Sequence, residues 1–161
     1  MRHLIDALIG WPARVARHLM WLAPLFARIV CGWEFMISGW GKLNNLPQVL
    51  ENFIGWGIPW PRLFTPLTSG IEFFGGLFLL LGLMTRISAG ALGVVMIVAI
   101  KSAKWEDVAG AGSFMDGLTT FLGFDETEYL ALFLWLAIAG AGRISLDRYL
   151  IRYARPGSGD D

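Results

Sequence analysis

The sequence predicts an all-α integral membrane protein: a bundle of four transmembrane helices preceded by an amphipathic N-terminal helix lying in the membrane interface. Three observations predict it. The chain is 55% hydrophobic and only 16% charged, with a mean hydropathy of +0.56, too apolar for an ordinary soluble domain. A soluble fold would have to hide three or four helices that are apolar all round, and 161 residues lack the volume to do so. Finally, the basic residues segregate to one side of a four-span arrangement. A formal net charge of zero argues against nucleic acid, which wants a clustered basic face. The single cysteine, Cys31, permits neither an internal disulfide nor a paired-cysteine redox motif and is read as core. His3 and His18 cannot build a metal site unaided, so no metal is expected. No phosphate loop or hydrolytic triad is visible.

Residues 1–21 read as an amphipathic helix on the membrane surface and not as a signal peptide, because Asp6, Pro12, Arg14 and Arg17 interrupt any apolar run. Leu4, Leu8, Trp11, Val15, Leu19 and Leu22 fall on one face and Arg2, Asp6, Arg14 and Arg17 on the other. Pro12 is expected to kink or divide it. The membrane domain, residues 22–147, then has spans at about 22–41, 63–83, 87–103 and 126–146. Between the first two lies a Pro-, Gly- and Trp-rich connection with a short surface helix around Leu50, Phe53 and Ile54. Met84 to Arg86 form a tight turn into the third span, whose Lys101 and Lys104 are placed to snorkel beside Trp105. Residues 106–124 are acidic and glycine-rich, an exposed loop with one amphipathic piece at 114–124. Asp125 and Glu128 have the spacing of a capping box opening the fourth span. Residues 148–161 form a basic, then polar, tail.

Orientation follows from the charges. Arg2, Arg14, Arg17, Arg86, Arg143, Arg148, Arg152 and Arg155 fall on one side; Lys42, Arg62 and Lys104 fall on the other with Glu51, Glu106, Asp107, Asp116, Asp125, Glu126 and Glu128. The positive-inside rule therefore places both termini in the cytoplasm of a bacterial-type inner membrane. An odd number of spans would break that agreement.

Polar residues interrupt the spans in a pattern. On the first, Arg28, Cys31, Glu34, Ser38 and Lys42 lie within an arc of about 120°. The second carries Glu72 in a seam of small and polar residues with Gly75 and Gly76. At 1.5 Å per residue, Glu34 and Glu72 fall at nearly equal depth, about 18 and 16 Å from the cytoplasmic edge, and Arg28 at about 9 Å. Intramembrane charges cost about 2.5–3.5 kcal/mol on insertion scales, so these groups are expected to face inward, with Glu72 paired to Arg28. Such a group either clasps helices together or forms a cavity that binds a small molecule or moves a proton. Gly32, Gly39, Gly75, Gly76 and the Ala89/Gly93 pair are candidate helix-packing positions. Met36, Met84 and Met96 read as packing residues.

The first span has the frame R-x3-G-x2-F-x3-G-x2-K-L at Arg28, Gly32, Phe35, Gly39, Lys42 and Leu43. The loop supplies Phe53 and a GIP at residues 57–59, and the second span E-x2-G-G-x5-G-x2-T-R from Glu72 to Arg86. Taken together, these resemble the DoxX family of small four-helix membrane proteins over about residues 22–105. The resemblance implies that Arg28, Lys42, Glu72 and Arg86 occupy the family's charged positions. Glu34 and Ser38 depart from its pattern, which carries an apolar residue at the first and often histidine at the second. It implies a redox-linked accessory subunit, with a quinone or similar lipophilic ligand in a polar seam between the first two spans. Its partners would be the lipid bilayer, membrane or cytoplasmic redox proteins, and other copies of the chain. Two alternatives stand beside it: a small proton-coupled transporter working as an oligomer, and a non-catalytic scaffold.

Overall fold

The computed structural model describes residues 10–154, and every regular element among them is helical. In chain order these are α1 (Trp11–Leu19), α2 (Leu22–Asn44), α3 (Leu46–Gly55), α4 (Pro61–Leu81), α5 (Thr85–Ala99), α6 (Trp105–Ala109), α7 (Phe114–Leu122), α8 (Asp125–Ala139) and α9 (Leu146–Ala154). A wider turn at Ile100–Lys104 joins α5 to α6, giving one apolar rod over Thr85–Ala109. That rod, α2 and α4 are the three helices among the described residues long and apolar enough to cross a membrane.

The expected fourth span is cut short. α8 has 15 residues, about 22 Å of helix against a hydrocarbon core of about 30 Å. Gly140 and Gly142 adopt positive φ of 82° and 76°, so the chain leaves the helix after Ala139 and starts a new one at Leu146. The capping box is absent too. The residue before α8 is Phe124, with no side-chain cap bond. At the N-terminus, Pro12 stands in the first turn of α1, where a missing N–H costs nothing; residues 1–9 of the predicted helix, and with them the kink or division expected at Pro12, lie outside the described residues. The 106–124 loop folds into α6 and α7, with Ser113 accepting from the N–H of Asp116 at the start of α7.

The helices form two tight pairs, α2 with α4 and α5 with α8, joined through α4 and α5. Glycine decides how close the first pair comes. A Cβ on Gly32 would lie 2.8 Å from both the Gly76 carbonyl and the Leu80 nitrogen, and Cβ atoms on Gly39 and Gly76 would strike the backbone of Phe73 and Met36. Gly75 instead receives Leu92 of α5, and Gly93 faces Leu130 and Phe133 of α8 at ordinary contact distance. Ala89 is fully buried in the core with Cys31, Phe35, Leu79, Leu92, Met96, Phe133 and Leu136. Of the methionines expected to be packing residues, Met96 is buried while Met84 is half exposed. By contrast α2 and α8 touch lightly, which leaves a cleft between them.

Candidate functional site

Backbone contact sets the register of α2 on α4, and the register separates the polar residues into two groups. Gly32 lies level with Gly76 and Leu80, while Gly39 lies against Glu72 and Phe73. Glu72 therefore sits about five residues, or about 7.5 Å, farther along the bundle than Glu34. The equal-depth expectation fails because it set both helices flush with the membrane, whereas contact between glycine backbones offsets them.

Glu72 does not meet Arg28. Its carboxylate, 2% exposed, accepts from Lys42 Nζ at 2.6 Å through Oε1 and from Ser38 Oγ at 3.3 Å through Oε2. Lys42 is the residue one turn past Ser38 on the same face of α2, so an ammonium on a flexible stem reaches down to the buried acid while remaining 38% exposed itself. These three residues form the foot of a cleft of about 200 Å³ walled by Glu34 and Phe35 of α2, Met96 of α5, and Asp125, Glu126 and Tyr129 of α8. Phe35 packs edge-on against Tyr129 and Phe133, at 5.1 and 4.9 Å between ring centres. Glu34 is exposed at the cleft, not turned into the bundle as its place on the polar stripe predicts. Lys104 lies 3.0 Å from Glu126 and over the Phe124 ring, tying the end of the third rod to the start of α8 instead of snorkelling.

Arg28 belongs to a second group, about 21 Å away along α2. Its guanidinium is 2% exposed and donates from Nε to the Leu79 carbonyl at 3.0 Å, and from Nη1 to the Ala141 carbonyl and to the Ile144 carbonyl at 2.8 Å. Leu79 lies in the last turn of α4, and Ala141 and Ile144 follow α8, so a cation sits where helix C-termini gather negative potential. Asp147 completes the arrangement. Its two carboxylate oxygens accept from the N–H groups of Met84 and Thr85 at 2.6 and 2.9 Å, and its own N–H donates to the Gly82 carbonyl at 2.9 Å. Met84 holds a left-handed φ of 47°, and the bonds from Asp147 fix that unfavourable turn. Arg86 is exposed beside Gly140, in neither polar group.

The family described as DoxX matches residues 23–105. This chain belongs to the DoxX family. Over 128 residues it is 33% identical to the "Inner membrane protein YqjF" of Escherichia coli, covering 78% of this chain and 90% of that protein. It is 24% identical over 139 residues to the "Putative oxidoreductase CatD" of Bacillus subtilis, 85% of this chain and 93% of that one. An uncharacterized membrane protein of Mycobacterium tuberculosis is 34% identical over 133 residues, 79% and 80% of the two chains. No solved structure matches.

The DoxX match ends at residue 105, yet both polar groups are finished by residues beyond it. Tyr129, Asp125 and Glu126 close the cleft, and Ala141, Ile144 and Asp147 close the Arg28 group. Sequence reasoning passed over Asp147 and Tyr129. No distinctive signal marked the first, since an acid in the first turn of a helix is ordinarily accounted for by that helix's own N-terminus. For Tyr129 there was none either, since an aromatic in an apolar run reads as packing.

Proposed function

We propose that this DoxX protein is a redox-linked membrane subunit whose cleft takes the ring of a quinone or a similar small lipophilic carbonyl compound. One observation carries the reading. Glu72 uses a single N–H of the Lys42 ammonium, which leaves two donors in a cleft that Phe35 and Tyr129 also line. Two donors in a cleft lined by aromatic rings suit a planar ring with carbonyl oxygens. At about 200 Å³ the cleft falls below the ~300 Å³ at which small-molecule sites usually begin, so it fits a head ring while an isoprenoid tail would run into lipid. Glu72 fixes Lys42, and the exposed Glu34 is available to exchange protons with the ring oxygens. The relative named as an oxidoreductase is consistent with this class of chemistry. The electrons would come from a partner protein.

A short-chain benzoquinone titrated into the full-length protein in nanodiscs, followed by tryptophan quenching, tests it. Wild type binds, and Tyr129→Phe and Lys42→Met each weaken binding about tenfold, the value of one hydrogen bond of about 1.4 kcal/mol. Absence of binding in wild type, or binding in both variants as tight as in wild type, would overturn the assignment. The excess of carboxylates around the cleft, Glu34, Glu72, Asp125 and Glu126 against Lys42, favours a second reading, a proton-coupled carrier. Quinone-independent proton uptake by proteoliposomes, lost in Glu34→Gln, would support that one instead.

A further inference from the structure

At the end of the bundle opposite the cleft, a groove of about 550 Å³ runs between the start of α5 and α9. Its lining is mainly apolar, with Ile87, Leu150 and Ile151 among the contributors, and it carries two guanidiniums, Arg86 and Arg148. Both are exposed, and neither guanidinium has an ion-pair or hydrogen-bond partner among the described residues. Asp147 also lines the groove, but both its oxygens are taken by the N–H groups of Met84 and Thr85. The acid's oxygens are thus turned into the fold, its charge is shared with the buried Arg28, and the two arginines leave the groove with an excess of positive charge.

The groove opens beside the ends of the long apolar helices α4 and α5, and α9 has the make-up of a helix that lies on a membrane surface. Leu146, Tyr149, Leu150 and Tyr153 are all exposed within an arc of about 100°, with Arg148 and Arg152 on the opposite side. α1 has the same make-up, with exposed Trp11, Val15 and Leu19.

We infer that this groove is a binding site for one anionic phospholipid, with Arg86 and Arg148 holding the phosphate and the apolar wall of Ile87, Leu150 and Ile151 receiving the first carbons of the acyl chains. Guanidinium geometry suits phosphate oxygens, two donors to two acceptors. A free phosphate would leave the apolar wall wet, and a zwitterionic lipid would bring its own cation beside two guanidiniums that already outnumber its one phosphate charge.

Delipidated full-length protein in a neutral detergent is titrated with phosphatidylglycerol, phosphatidylcholine or glycerol phosphate and followed by native mass spectrometry. A single phosphatidylglycerol adduct forms in preference to the other two, and it weakens about tenfold or more in Arg86→Gln/Arg148→Gln. Arg62→Gln, at the other end of the bundle, leaves it unchanged. Equal adducts with phosphatidylcholine, equal affinity for glycerol phosphate, or an unaltered adduct in a double variant that keeps the wild-type melting temperature would each overturn the assignment.

Discussion

A guanidinium offers five donors in a planar fork, and Arg28 spends three bonds of that fork on carbonyls from two distant parts of the chain. The Leu79 carbonyl also accepts from the N–H of Gly82, so removing Arg28 orphans chiefly the Ala141 and Ile144 carbonyls. Arg28→Met is expected to cost about 3 kcal/mol or more, and Arg28→Lys less, since a lysine keeps the charge but loses the fork. Thermal unfolding of the purified variants in one detergent checks the order. Glu72→Gln leaves the Arg28 group untouched, because the two sites share no partner. That Arg28 and Glu72 would be buried polar groups was legible, whereas Ser38 and Lys42 of the same stripe are only partly covered and Glu34 is exposed. The pairing was not legible. An Arg28–Glu72 bond is the natural guess from opposite charges on adjacent helices, and it fails because partner choice depends on an offset of a few residues that periodicity does not contain.

Helix packing explains where that offset comes from. Gly32, Gly39 and Gly76 let the backbones of α2 and α4 touch, and touching backbones permit one register only. Gly39 and Gly41 make a controlled pair within α2: a Cβ at Gly39 meets the Phe73 backbone, while at Gly41 it meets nothing within 4 Å. Gly41→Ala is expected to stabilise by up to about 1 kcal/mol through helix propensity. Gly39→Ala, with the same propensity gain, is expected to destabilise by about 1–3 kcal/mol through overpacking. Equal melting temperatures for the two variants would contradict the close contact. The small-residue positions were readable from sequence, as were α2, α4 and the rod beginning at Thr85. The end of α8 was not, since Gly140 and Gly142 inside AGAG look like tolerated small residues of a membrane helix. They turn out to be the points where the chain reverses and presents the Ala141 carbonyl to Arg28.

For the whole molecule, the open issue is what a 15-residue α8 does to topology. If it crosses, assisted by the turns at its two ends, α1 and α9 share one face of the membrane. Membrane-impermeant maleimide is then expected to label Ala16→Cys and Ala154→Cys from one side of sealed vesicles and Gly112→Cys from the other; Cys31, fully buried, contributes no background. Labelling of positions 16 and 154 from opposite sides would mean three crossings. The Arg28 group also bears on the order in which the protein is made. Arg28 is separated from two of its acceptors by 113 and 116 residues of chain, nearly the whole membrane domain. While the ribosome is still adding those residues, α2 enters the bilayer holding a charge whose only early acceptor is the Leu79 carbonyl, 51 residues on, at a cost of up to about 2.5–3.5 kcal/mol. The first helix out is thus the last to be settled: until Ala141 and Ile144 are in place, Arg28 has one of the three carbonyls that hold it in the finished protein.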